Sequence, residues 1–144
     1  MRDYIPLLYE DQYVRVTDSS IIINNYYFPF GSKSIAIDQV LSIDTDIELD
    51  LLSEQYHAWG FCRSTNIWWA KDGSRIDSRE RLVSRPYVIV RLTNSWVSCG
   101  FTMSHPQAGL QILRALLADK KPRAPPNFAE YASNNGVMYR PTTQ

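Results

Sequence analysis

The chain has 144 residues, a length within the usual span of one domain and long enough to bury a core without disulfide or metal staples. Fifteen basic side chains balance fifteen acidic ones, with 21% charged and 44% hydrophobic residues, values that set aside a strongly basic nucleic-acid surface and a charged disordered chain. The longest apolar runs, such as Ile21 to Ile23 and Ala115 to Ala118, fall far short of the roughly 20 residues that a membrane-spanning helix needs.

Four Trp, nine Tyr and five Phe favour strands over helices. The opening "MRDYIPLLYEDQ" meets charges at once and lacks the apolar stretch of a signal peptide, so the expected location is cytoplasmic. Two cysteines, Cys62 and Cys99, are too few for a disulfide framework or a zinc site and are expected to be small buried groups. The zero balance conceals a polarity. Residues 1–62 hold three basic against ten acidic side chains, and residues 63–144 hold twelve against five. Such halves can attract each other or a second copy of the chain.

In chain order, the first clear element is a hairpin in "YVRVTDSSIIINNYY". A two-residue turn at Asp18 and Ser19 sets Val16 against Ile21 and Val14 against Ile23, with Arg15 opposite Ile22 on the other face. Slipping the turn by one residue would bring an amide into the core. After a turn at "FPFGS", alternation in "SKSIAIDQVLSIDTDIEL" predicts a short strand near residues 34–37 and another over residues 41–49. Along the second, Asp44, Asp46, Glu48 and Asp50 would project from one face as a solvated acidic ladder, the weaker alternative being a divalent cation site.

Next, "HAWGFCRSTNIWWA" predicts a hairpin turning at Thr65 and Asn66, with Arg63 facing Trp68 and Cys62 facing Trp69. Gly60 marks a bend. Adjacent strand residues point to opposite faces, so at most one of Trp68 and Trp69 lies in the core; an outward Trp68 would stack on Arg63. Residues 71–84 read as a loop carrying Lys71, Arg75, Arg79 and Arg81, with Arg85 just beyond, diluted by Asp72, Asp77 and Glu80. A last hairpin, "RPYVIVRLTNSWVSCGFTM", turns at Asn94 and Ser95 and sets Leu92 against Val97, Val90 against Cys99 and Val88 against Phe101.

The one convincing helix begins at "MSHPQAG", with Ser104 as N-cap, Pro106 in the first turn and Gln107 completing a capping box. Gly109, Ile112, Leu113, Leu116 and Leu117 form its buried stripe, while Gln107, Gln111 and Arg114 face water. From residue 120 the chain reads as an extended or disordered tail rich in proline, whose "PRAPP" is a weak polyproline motif. The domain is therefore expected over residues 1–119.

Nothing in the chain matches a catalytic arrangement. His57 and His105 stand apart from carboxylate or cysteine clusters, no serine sits in a nucleophile elbow, and no glycine-rich phosphate loop occurs. No cofactor, metal or nucleic acid is expected.

The stretch "VRVTDSSIIINNYYFPFGSKSIAIDQVLSI", the Trp-Gly hairpin "WGFCRSTNIWWAKDGSR" and the ending "CGFTMSHPQAGLQILRALL" resemble small bacterial proteins of the pleckstrin-homology-like superfamily, over roughly residues 8–118. The resemblance is one of pattern, since no strict fingerprint defines the fold. It implies a mainly β domain: a bent antiparallel sheet of about seven strands capped by one C-terminal helix. Lipid-binding relatives hold a head group with Lys and Arg at the first hairpin turn, where this chain has "TDSS", and peptide-binding relatives add a strand at an open edge beside the helix.

The function expected is a non-enzymatic binding module for a protein partner or for its own copies. Its surface would hold Trp68, Arg63, Arg75, Arg79, Arg81 and Arg85, with Asp44, Asp46, Glu48 and Asp50 as an acidic partner face. The alternative is contact with a membrane surface or an anionic ligand through the arginine loop 71–85.

Overall fold

The computed structural model describes residues 6–27, 30–51, 55–76 and 86–120. Among these, nine strands form two sheets. The first takes β1 (Leu7–Glu10), β2 (Val14–Thr17), β3 (Ser20–Tyr27) and β4 (Gly31–Ala36) in chain order. The second comprises β5 (Val40–Thr45), β6 (Gly60–Cys62), β7 (Ile67–Trp69), β8 (Val88–Leu92) and β9 (Ser95–Phe101), arranged β5-β8-β9-β7-β6. One helix, α1 (Pro106–Lys120), follows. The molecule is thus mainly β with a C-terminal helix. The expected single sheet of about seven strands is corrected to two sheets, and β7 lies parallel to β9 where a purely antiparallel sheet was expected.

The first hairpin has the register read from its alternation, Val14 against Ile23, Arg15 against Ile22 and Val16 against Ile21. All four aliphatic residues of the inner face are wholly buried. They meet Ile43, Val88, Val90, Cys99 and Phe101 of the second sheet and Leu110 and Leu113 of α1 in one core. The opposite face of the second sheet is buried as well, where Cys62, Ile67, Trp69 and Ile89 pack with Tyr56 and Tyr87. Both cysteines are free and buried, as expected.

The last hairpin keeps Val88 against Phe101 and Val90 against Cys99. Its turn differs: Leu92 pairs with Ser95, not Val97, and the register shifts between Val90 and Leu92. The extra residues fall on β9, and Trp96 among them is left 73% exposed. The Trp-Gly hairpin is shifted likewise. Cys62 faces Ile67, Phe61 faces Trp68 and Gly60 faces Trp69, because the turn holds four residues, Arg63 to Asn66, closed by bonds from Asn66 and Thr65 N–H groups to the Cys62 carbonyl. A slip by two leaves every side chain on its expected face.

The acidic ladder does not form. β5 ends at Thr45, where Thr45 and Glu48 exchange backbone-to-side-chain hydrogen bonds of 2.9 and 3.0 Å, the reciprocal pattern of a capping box. Leu49 N–H then donates to the Thr45 carbonyl and Asp50 takes a φ of 56°. The alternation that resembled a strand is a turn. Helix α1 buries Gly109, Leu110 and Leu113 and half-buries Ile112, Leu116 and Leu117, close to the expected stripe. Its start is held from a distance: the Ser104 N–H donates to Asp11 and the His105 N–H to the Tyr9 hydroxyl.

Candidate functional site

The arginine loop and its tryptophans build a structural knot. Trp69 is wholly buried, edge-on to Tyr56 and Tyr87. Gly100 lies opposite it on β9, and a Cβ there would come within 2.5 Å of the indole. Arg75, expected on the exposed surface, is instead 1% exposed, with its guanidinium 4.8 Å from the Trp69 ring centre. It donates to the carbonyls of His57, Ala58 and Ala70 and to Thr102 Oγ1. Three backbone acceptors converging on one fork explain the burial: the Ala58 carbonyl also takes the Asp72 N–H, and the His57 and Ala70 carbonyls take their donor from Arg75. Burial pulls the guanidinium down to about 10, against the attraction of Asp72, so it remains charged at neutral pH.

Asp72 completes the knot. It accepts from Thr102 Oγ1 at 2.6 Å and from the Ser74 hydroxyl at 2.8 Å. Burial pushes its carboxyl upward, yet these hydrogen bonds, with the charge of Arg75, hold it below the usual carboxylate range. Arg79, Arg81 and Arg85 lie outside the described residues. Arg63 is exposed in its turn, and the place opposite Trp68 that was expected for it belongs to Phe61.

The four acids expected to act together are dispersed. Asp46 is 1% exposed, accepting from the Tyr56 hydroxyl at 2.7 Å and the Tyr87 N–H at 2.8 Å. Asp44 lies 3.5 Å from Arg91, and Glu48 lies 2.7 Å from Arg114, which also donates to the Ile43 carbonyl. The Thr45 backbone bond and Arg114 hold the Glu48 carboxyl below its usual range. No group of three or more His, Cys, Asp or Glu suited to a metal ion occurs among the described residues.

Trp68 is different. Half-buried, it projects from the opposite face of β7 and forms one wall of a cleft of about 280 Å³ between the two sheets. The facing wall is the β3–β4 hairpin, with Tyr26, Tyr27 and Lys33. The indole N–H donates to the Tyr26 carbonyl at 2.8 Å, and the two rings stand 6.0 Å apart. Tyr26 meets Tyr27 edge-on at 5.0 Å and donates its hydroxyl to the Cys99 sulfur at the cleft floor. Burial pushes both Tyr26 and the Cys99 thiol above their usual values, so neither is a nucleophile at neutral pH.

Lys33 sits 5.6 Å from the Tyr26 ring centre and 5.9 Å from that of Tyr27, and its ammonium donates to the Tyr27 hydroxyl. It is the one cation among the described lining residues, and none of them carries a carboxylate. Amides of Gln39 and Asn94 and the hydroxyls of Ser34 and Ser95 supply the polar lining. Beyond Trp68, Phe61 meets the exposed Trp96 edge-on at 6.4 Å.

The backbone sets this wall up at Asn25. Its φ of 54° is a left-handed conformation that asparagine tolerates better than most residues, and the β3–β4 register shifts between Ile23 and Tyr27. The shift reverses the alternation: Ile21, Ile23 and then Tyr26 face the core, while Tyr27 is left 46% exposed at the mouth.

Among the described residues of the expected surface, only Trp68 lines this cleft. Tyr26, Tyr27 and Lys33 were missed, although "NNYY" carried the same signal as "IWW", two adjacent rings that must point to opposite faces. Comparison with known proteins identifies no relative: no family model, no curated protein and no solved structure matches this chain.

Proposed function

We propose that this chain is a non-enzymatic, cytoplasmic binding module whose site is the inter-sheet cleft, where it takes a segment of a protein partner. The observation that carries this reading is the cleft lining: three aromatic rings and one lysine, with no carboxylate among the described lining residues. Exposed Tyr and Trp supply large contact areas for little lost side-chain freedom, and such residues dominate binding energy at interfaces. A space of about 280 Å³ suits one or two inserted side chains. Lys33 gives one of its N–H bonds to Tyr27 and has others to offer a carbonyl or carboxylate of the partner.

Kinship with the pleckstrin-homology-like superfamily is part of the same proposal. Two packed sheets with a helix against their shared core support it, and the parallel β7–β9 pair is a departure from its pattern. Self-association through the acidic run is the weaker version, because Asp44 and Glu48 already meet Arg91 and Arg114 of their own chain. The membrane reading loses Arg75 to the interior. No helix among the described residues is long and apolar enough to cross a membrane.

The test is quantitative capture from native extract on four baits: wild type, Lys33→Glu, Tyr27→Ala, and Gln111→Glu on the exposed face of α1. Proteins held by wild type and the α1 variant should fall about tenfold with either cleft variant, as loss of about 1.4 kcal/mol would give. Equal retention on all four baits would overturn the assignment.

A further inference from the structure

A second opening shares no residue with the cleft. Leu8 of β1 and Ile112, Ala115, Leu116 and Asp119 of α1 line an apolar groove of about 400 Å³. Its geometry follows from the way α1 is anchored. Tyr9 and Asp11, at the exit of β1, hold the first amides of the helix, and the later turns from Ile112 to Asp119 share the groove with Leu8. Along the ladder β1 is terminal, hydrogen-bonded to β2 on one side only among the described residues. Leu8 is left 39% exposed and Leu7 49% exposed. An open strand edge beside an uncovered apolar helix face accepts an added extended segment, with backbone bonds on one side and side-chain pockets on the other.

We propose that residues 121–144 of the same chain fill this groove, with Phe128 as the anchoring side chain. The helix reaches Lys120, one residue past Asp119 of the groove wall, so the continuing chain starts at the groove's end. Pro122, Pro125 and Pro126 oppose continuation of the helix, and Phe128 is the first large apolar residue after them. The eight residues from Lys121 to Phe128 reach roughly 27 Å when extended, enough to turn back along the groove. The segment also carries Tyr131, Val137, Met138 and Tyr139, apolar surface that gains from a dry face. Such a cover would blunt the β1 edge and leave the inter-sheet cleft open.

The experiment pairs Leu8→Cys with Phe128→Cys in the full chain, under mild oxidation. Leu8→Cys with Thr143→Cys, near the end of the segment, is the control. The native cysteines are buried and do not compete. The proposal expects an intramolecular disulfide forming about tenfold faster for the Phe128 pair than for the control, reflecting a raised effective concentration. Equal rates, or no disulfide, would overturn it. Disulfide-linked dimers would overturn it in another way, by making a second copy the occupant. As an independent readout, Phe128→Ala in the otherwise native chain should increase amide exchange at Leu8; unchanged exchange counts against the docking.

Discussion

Replacing Arg75 by methionine keeps an apolar stem out to the position of Nε and removes the charged, hydrogen-bonding end of the side chain. In the native fold that group is 1% exposed and donates to three backbone carbonyls and one threonine hydroxyl, over the Trp69 ring. A single hydrogen bond to a charged group contributes about 1.5 to 3 kcal/mol, but four made by one fork do not add. Truncating one member of a buried charged pair costs about 3 to 5 kcal/mol, because the partner remains buried and uncompensated. Arg75 meets Asp72 through the shared Thr102 hydroxyl rather than by direct contact, so part of that cost applies, and the His57 and Ala70 carbonyls stripped of their Arg75 donor add the rest. The expected destabilisation is therefore about 3 to 5 kcal/mol. Urea unfolding followed by tryptophan fluorescence should show the midpoint falling by roughly 2 M with an unchanged slope. Arg75→Lys keeps the charge without the planar fork and should lose about half as much. A methionine variant within about 0.5 kcal/mol of wild type would refute the reasoning, since that is how an exposed loop arginine behaves.

Other consequences are as direct. Gly100→Ala presses a methyl against the Trp69 indole and should destabilise by about 1 to 3 kcal/mol, measurable in the same urea titration. Asn25→Val imposes a β-branched residue on a left-handed backbone and should cost about 1 to 3 kcal/mol, whereas Asn25→Gly should be nearly neutral. For Asp72 the folded-state carboxyl lies below its unfolded value. Its contribution to stability is thus present above the ordinary carboxylate range, near pH 4, and is lost as pH falls through the folded value. Thr102→Val removes its shortest hydrogen bond, and NMR titration of the Asp72 carboxyl should show protonation moving to higher pH.

What could be read from the sequence was the local part. In the first hairpin, strict alternation flanks a two-residue turn, and only one register keeps amides out of the core; the observed pairs follow it. The helix was legible because Pro106 and the apolar stripe fix its start and its buried face. Hairpin turns were less legible. A four-residue turn at Arg63 to Asn66 and a shift on β9 preserve alternation, so the pattern alone could not distinguish them from tighter turns. Residues 44–50 misled for a related reason: acids at every second position suit a strand, while Thr45 and Glu48 three apart suit a cap. The burial of Arg75 was not readable at all, since it depends on carbonyls of residues 57, 58 and 70 meeting in space. The cleft joins β3 and β4 to β7 and β9, from different sheets, and no local period encodes that meeting.

The central claim is that the cleft walled by Trp68 and the β3–β4 hairpin receives the partner. A photo-crosslinking amino acid installed at Tyr27, at the cleft mouth, and separately at Gln111, on the exposed face of α1, tests it in native extract. The account predicts a discrete protein adduct from position 27 that is absent from position 111 and disappears when Lys33→Glu is added. The same adducts from both positions, or an adduct indifferent to Lys33, would contradict it.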